Sequence, residues 1–125
     1  MTMEQEEITG RVIGCAIEVH RQLGPGLLES AYEKCLAFEL RENGIQFQRQ
    51  LPMPVEYKET RLECGYRIDF LIEEKLIVEL KSAKQLIGLD EAQLLTYMKL
   101  AKVKLGLLMN FNETRLKSGI RRFIL

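Results

Sequence analysis

Residues 66–82 read Tyr-Arg-Ile-Asp-Phe-Leu-Ile-Glu-Glu-Lys-Leu-Ile-Val-Glu-Leu-Lys-Ser, two apolar runs of period two joined by the charged tip Glu73-Glu74-Lys75. Such alternation makes a β-hairpin. In its first arm Ile68, Phe70 and Ile72 share one face, and Arg67, Asp69 and Leu71 the other. In its second arm Leu76, Val78 and Leu80 share a face, opposite Ile77, Glu79 and Lys81. Opposed residues of an antiparallel pair lie on the same side of a sheet, which sets Ile72 against Leu76 and Phe70 against Val78. That register also sets Asp69 against Glu79. Like charges facing each other are unfavourable in a sheet; at ~5 Å and an effective dielectric of ~20 the repulsion is about 3 kcal/mol. Lys81 lies on the same face and offsets part of it. A hard divalent cation would offset the rest, since such ions take oxygen ligands and keep waters for chemistry. The bland alternative is a solvated polar face carrying an incidental pair, against which the flanking Leu71 and Ile77 speak.

Around this hairpin the pattern is mixed. Ile8, Val12, Cys15, Ala16, Val19 and Leu23 recur at helical spacing over 6–23, and Gly24-Pro25-Gly26 stops that helix. A second helix is expected over 27–43, with Leu28, Ala31, Tyr32, Cys35 and Leu36 on one face and Asn43-Gly44 suited to a left-handed cap. Residues 46–57 predict a strand that Pro52 and Pro54 confine to an edge or an irregular piece. A turn follows at 58–60, then hairpin strands over 61–72 and 76–82. Asp90 opens a third helix reaching 101, and strands are expected over 104–110 and 118–125. The order is ααβββαββ, an α/β or α+β domain with a mixed central sheet. With 125 residues, 46% of them apolar and 29% charged, and no repeats or linkers, the chain reads as one globular domain over 1–125, neither disordered nor fibrous. The acidic start lacks the features of a secretory signal, and no apolar run approaches a membrane span. Cys15, Cys35 and Cys64 have neither zinc nor redox spacing, which predicts buried free thiols and a cytoplasmic protein.

Asp69, nine intervening residues, then Glu79-Leu80-Lys81 resembles the Asp…Glu-x-Lys core of the PD-(D/E)XK nuclease superfamily, with Ile68 where the name has Pro. Gly26-Leu27-Leu28-Glu29-Ser30-Ala31-Tyr32 resembles the GxxExxY pattern of a family of small bacterial and archaeal proteins placed in that superfamily. Val19-His20, Leu23-Gly24-Pro25, Gln93-x-x-x-Tyr97 and the stretch from Gly106 to Phe111 extend the likeness over about residues 8–125. The resemblance implies a restriction-endonuclease-like core and metal-dependent hydrolysis of phosphodiester bonds, in DNA rather than RNA. It implies that Asp69, Glu79 and the carbonyl of Leu80 hold Mg²⁺ (Mn²⁺ as a substitute), and that Lys81 holds the attacking water or stabilises the phosphorane. Glu29 would complete the metal set, with Glu33 at i+4 as the alternative. Gln93 joins the catalytic candidates, and Tyr97, Tyr32, Lys84, Arg121 and Arg122 are candidate substrate contacts.

Several of these residues have plain structural alternatives. Gln93 fits a capping box begun by Asp90 as well as it fits a site. Tyr97 serves equally as a core aromatic. Tyr32 reads better as a packing residue with a tethered hydroxyl, and His20, the only histidine, better as a hydrogen-bonded structural group than as a site-edge base. Gly24-Pro25-Gly26 has no Gly-Lys-Ser/Thr after it and no strand before it, which excludes a P-loop. A non-catalytic nucleic-acid- or protein-binding module keeping the nuclease fold is the competing function. The short chain leaves sequence recognition to a homodimer or an unidentified protein partner. Charge is balanced overall, 18 bases against 18 acids, which excludes a basic coat. The balance is segregated: residues 1–42 hold eight acids and four bases, whereas 99–125 hold one acid and seven bases. Those cations form either a phosphate track or an ordinary solvated face.

Overall fold

Thr2 begins the first helix, α1 (Met3–Leu23), by accepting the Gln5 amide while the Gln5 side chain accepts from Thr2 N–H, a complete capping box. Its stripe of Ile8, Val12, Cys15, Ala16 and Val19 is buried, and Gly24, at φ +68°, ends it in a conformation costly for any other residue. Helix α2 (Glu29–Glu42) packs beside α1 through Tyr32, Leu36, Ala37 and Leu40. The computed structural model describes residues 1–125.

Seven strands follow: β1 (Phe47–Pro52), β2 (Val55–Tyr57), β3 (Thr60–Leu62), β4 (Arg67–Ile72) and β5 (Leu76–Lys81), then, beyond helix α3 (Gly88–Ala101), β6 (Leu105–Asn110) and β7 (Ile120–Ile124). Five make the central sheet in the order β1-β4-β5-β6-β7, while β2 and β3 form a separate two-stranded hairpin. Only β5 and β6 run parallel, joined by the crossover through α3; the other neighbours are antiparallel. Helices α1 and α2 cover one face over a core including Phe70, Val78, Leu80, Leu107 and Phe111, and α3 covers the other over Ile77, Leu94, Met98 and Leu108. Both faces of β6 are therefore buried, and its run is apolar throughout except for Asn110. Gly106 lies under α3 so closely that a Cβ there would fall 2.5 Å from Met98 Sδ. The result is the mixed sheet flanked by helices of a restriction-endonuclease-like core. No helix is long and apolar enough to cross a membrane.

The expected strand order needs correcting at two places. The run 46–57 is two strands, because Pro52 and Pro54 remove ladder donors around Met53. The run 61–72 is also two: residues 63–66 belong to neither sheet and link the β2–β3 hairpin to β4, with Tyr66 bonded through its carbonyl to Met53 N–H. Five strands, not three, thus separate α2 from α3. Ile68 departs from the expected common face: it packs with the α3-side cluster while Phe70 and Ile72 join the α1/α2 side, so β4 turns over across Asp69. Cys64 is exposed, against the expected burial, because it lies in that departing segment.

Candidate active site

The hairpin register is the one its alternation dictates, Ile72 against Leu76 and Phe70 against Val78. The ladder stops one step later, where Asp69 and Glu79 would meet. There each carboxylate takes the place of a backbone acceptor: Asp69 Oδ2 accepts from Leu80 N–H at 2.9 Å, and Glu79 Oε2 accepts from Asp69 N–H at 2.7 Å. On the other side of β4 the β1 ladder also skips the step at Asp69. Gln50 sits there at φ +50°, a left-handed conformation unusual for a residue with a Cβ. Its carbonyl accepts from the Arg67 guanidinium, and its amide reaches Asp69 Oδ1 at 3.2 Å and Glu33 Oε1 at 2.5 Å. Asp69 thus occupies a point where the sheet opens on both flanks.

Glu79 is only 6% exposed. Burial, then the charge of Asp69, pushes its carboxyl up to about 8, and Lys81 pulls back only in part. Burial also raises Asp69, offset by the Leu80 N–H, while Glu33 adds repulsion. Lys81 alone does not balance the two acids, and oxygen donors left short of positive charge fit a hard divalent ion. No three His, Cys, Asp or Glu side chains converge as a ready metal-binding set. Two carboxylates suffice for the chemistry of Mg²⁺, which keeps several waters and is held by one or two acids together with substrate phosphate.

Glu29 stands exposed in the first turn of α2, its Oε2 3.4 Å from Ser82 N, and adds negative potential to both acids. It also complements the positive end of α2, whose N-cap Leu28 offers no side-chain acceptor. Glu33 is consumed by Arg49 at 2.7 Å and by Gln50. Lys81 leaves the acids sideways toward α3, with Nζ 3.9 Å from Asp90 Oδ1. Asp90 is not the helix N-cap expected of it. It lies inside α3, and its Oδ2 accepts from Ile87 N–H at 2.9 Å, so the reach-back assigned to Gln93 belongs to Asp90. Gln93 is freed to line a groove of about 590 Å³ with Lys81, Asp90, Tyr66 and Tyr97. Tyr97 is buried, and burial followed by the Glu79 charge raises its hydroxyl above the ordinary range.

Of the remaining expected contacts, Tyr32 and Arg122 lie on the α1/α2 side of the sheet. Tyr32 is wholly buried: its ring stacks on Phe111 at 4.6 Å, and its hydroxyl donates to Gly24 O and accepts from Leu27 N–H. It fastens the loop before α2. This tyrosine of the motif anchors the chain that leads into Glu29. Arg121 pairs with Glu91 of α3, while Arg122 points to the opposite side of β7, as neighbours on a strand must. They form no common track. Lys84 is exposed in the loop from β5 to α3. His20 is buried, its Nε2 2.8 Å from Glu113 O and 3.2 Å from Phe111 O, which fixes it as a structural donor.

Two contributors had no role assigned from sequence. Asn110, fully buried, clamps the loop after β5 by accepting from Ala83 N–H and donating to Ala83 O, each at 3.0 Å. One amide ending an otherwise apolar strand is the signal that could have found it. Gln50 had no such signal. A family model of the PD-(D/E)XK nuclease superfamily matches residues 6–123. Neither curated proteins nor solved structures give a match.

Proposed function

Because the chain belongs to the PD-(D/E)XK nuclease superfamily, we propose that it is a Mg²⁺-dependent phosphodiesterase acting on DNA, of the GxxExxY type. The observation that carries this reading is the facing pair of half-buried Asp69 and buried Glu79, each carboxylate anchored by one backbone N–H and set beside Lys81. Asp69, Glu79 and the Leu80 carbonyl would hold the ion, with Glu29 supplying outer charge. When bound, the ion would polarise the scissile phosphate and lower the pKa of a water. Lys81 orients that water or meets the charge developing on phosphorus, and Asp90 holds the ammonium in place until substrate arrives. Gln93 hydrogen-bonds a phosphate or base from the groove wall.

A cleavage panel on single-stranded, duplex and branched DNA with Mg²⁺ or Mn²⁺ tests this. Wild type should cut, and Lys81→Ala should lose about 10²–10³ in rate, with Asp69→Ala and Glu79→Ala inactive. A folded wild type inert on every substrate with both metals would refute it. The Lys81–Asp90 pair favours one second reading, a binding module in which Lys81 is structural. That reading predicts DNA binding that survives chelation and is unchanged in Glu79→Ala.

A further inference from the structure

Beside the two acids, the groove between α3 and the edge formed by Val55 and Tyr66 is not shaped for charge alone. Val55, Tyr66, Leu89 and Leu100 make an apolar wall, and only a few polar groups, Lys81 and Gln93 among them, interrupt it. Its volume of about 590 Å³ lies in the range of sites that bury a small organic group. Tyr66 is 46% exposed, unusual for a large aromatic in a site wall, and Tyr97 braces it edge-to-face with centroids 6.2 Å apart. Leu89 is 75% exposed on the opposite wall. Lys81 belongs both to this groove and to the Glu79 strand, so a phosphate held at Lys81 carries its own nucleoside into the groove.

A paired base shows a protein its edge, whereas an unpaired base shows its face. An exposed tyrosine braced by a second aromatic ring offers a stacking platform, and a platform serves a face. Gln93, with donor and acceptor both on one amide, can meet any base edge. We propose that this groove holds an unpaired nucleobase stacked on Tyr66, so that the preferred substrate is single-stranded. The proposal rests on the phosphodiesterase reading above.

The chain contains no Trp, so Tyr66→Trp introduces a single indole reporter. Three probes separate the possibilities in chelator: a single-stranded oligodeoxynucleotide, an abasic sugar–phosphate strand of equal length, and a fully paired duplex. The single strand should quench the indole and the abasic strand should not. Tyr66→Ala should weaken single-strand binding by about tenfold to a hundredfold, and Tyr66→Phe should restore it. The abasic strand should bind wild type and Tyr66→Ala alike. With Mg²⁺ added, the loss in Tyr66→Ala should fall on KM more than on kcat. Equal losses on normal and abasic strands, or tighter binding of the duplex than of the single strand, would overturn the groove proposal while metal-dependent cleavage still upheld the nuclease reading. Quenching without any metal-dependent cleavage would do the reverse. No binding of any probe would refute both.

Discussion

A carboxyl buried against a second carboxylate keeps its proton to a higher pH than it would in water, and this links the candidate site to folding. The Glu79 carboxyl lies near 8, against 4.5 ordinarily. Between those values the native chain binds more protons than the unfolded chain, so stability falls as pH rises through that window. Metal-free wild type should therefore lose on the order of a few kcal/mol between about pH 5 and pH 8 in urea unfolding. Glu79→Gln should be nearly flat over the same range and the more stable protein at pH 8. If wild type is flat as well, neither burial nor Asp69 raises the Glu79 carboxyl in the folded chain. Millimolar Mg²⁺ should raise the wild-type Tm at pH 8 by mass action and leave Glu79→Gln unmoved. The position of this pair was legible because side-chain alternation has a period of two, so a hairpin register can be deduced without coordinates. Gln50 was not legible, since its left-handed backbone and its bonds to Asp69 and Glu33 arise only when β1 closes on β4 and α2.

At the scale of elements, what orients the site are the ends of strands and helices. Asn110 terminates β6 and holds Ala83 through both its backbone groups, fixing the course of the chain just after Lys81. Asn110→Leu should cost about 2–3 kcal/mol, because the half-buried Ala83 and Asn112 amides both lose Asn110 Oδ1 as acceptor, and faster hydrogen exchange at the Ala83 amide should accompany it. Asp90 has a double duty, bonding Ile87 N–H at the start of α3 and facing Lys81. Asp90→Ala should lower stability by about 1 kcal/mol, as lost caps do. Helices α1 and α2 and the hairpin could be read from periodicity because each has one dominant spacing of apolar residues, whereas α3 was read from Asp90 as a start signal. Strand ends between 46 and 67 could not. Pro52 and Pro54 announce a break without saying where pairing resumes, and nothing local indicates that residues 63–66 stay outside both sheets and bring Tyr66 onto the groove beside Tyr97.

For the whole molecule, the seven bases of residues 99–125 suggest a phosphate track, and the fold decides which of them can take part. Arg121 and Arg122 are adjacent on β7, so they face opposite sides of the sheet. Arg121 meets α3 through Glu91, and Arg122 shares its side with the face that α1 and α2 cover. Lys84, by contrast, lies in the exposed loop directly after the strand that carries Glu79 and Lys81. Affinity for a strand laid along the groove should therefore depend on Lys81 and Lys84 and be indifferent to Arg122. Each phosphate neutralised releases counterions, so log Kd should vary linearly with log salt, with a contribution of about 0.7 per contact for a single strand. Lys84→Ala should reduce that slope by about one such contribution, and Arg122→Ala should leave both slope and affinity at the wild-type values. Reversal of that order would move the nucleic acid to the α1/α2 side of the sheet, where His20 and Tyr32 are already committed to backbone partners. A track there would run past buried structural groups and would leave the Asp69–Glu79 pair without a substrate, so the salt titration of these two variants tests the direction of approach as well as the strength of binding.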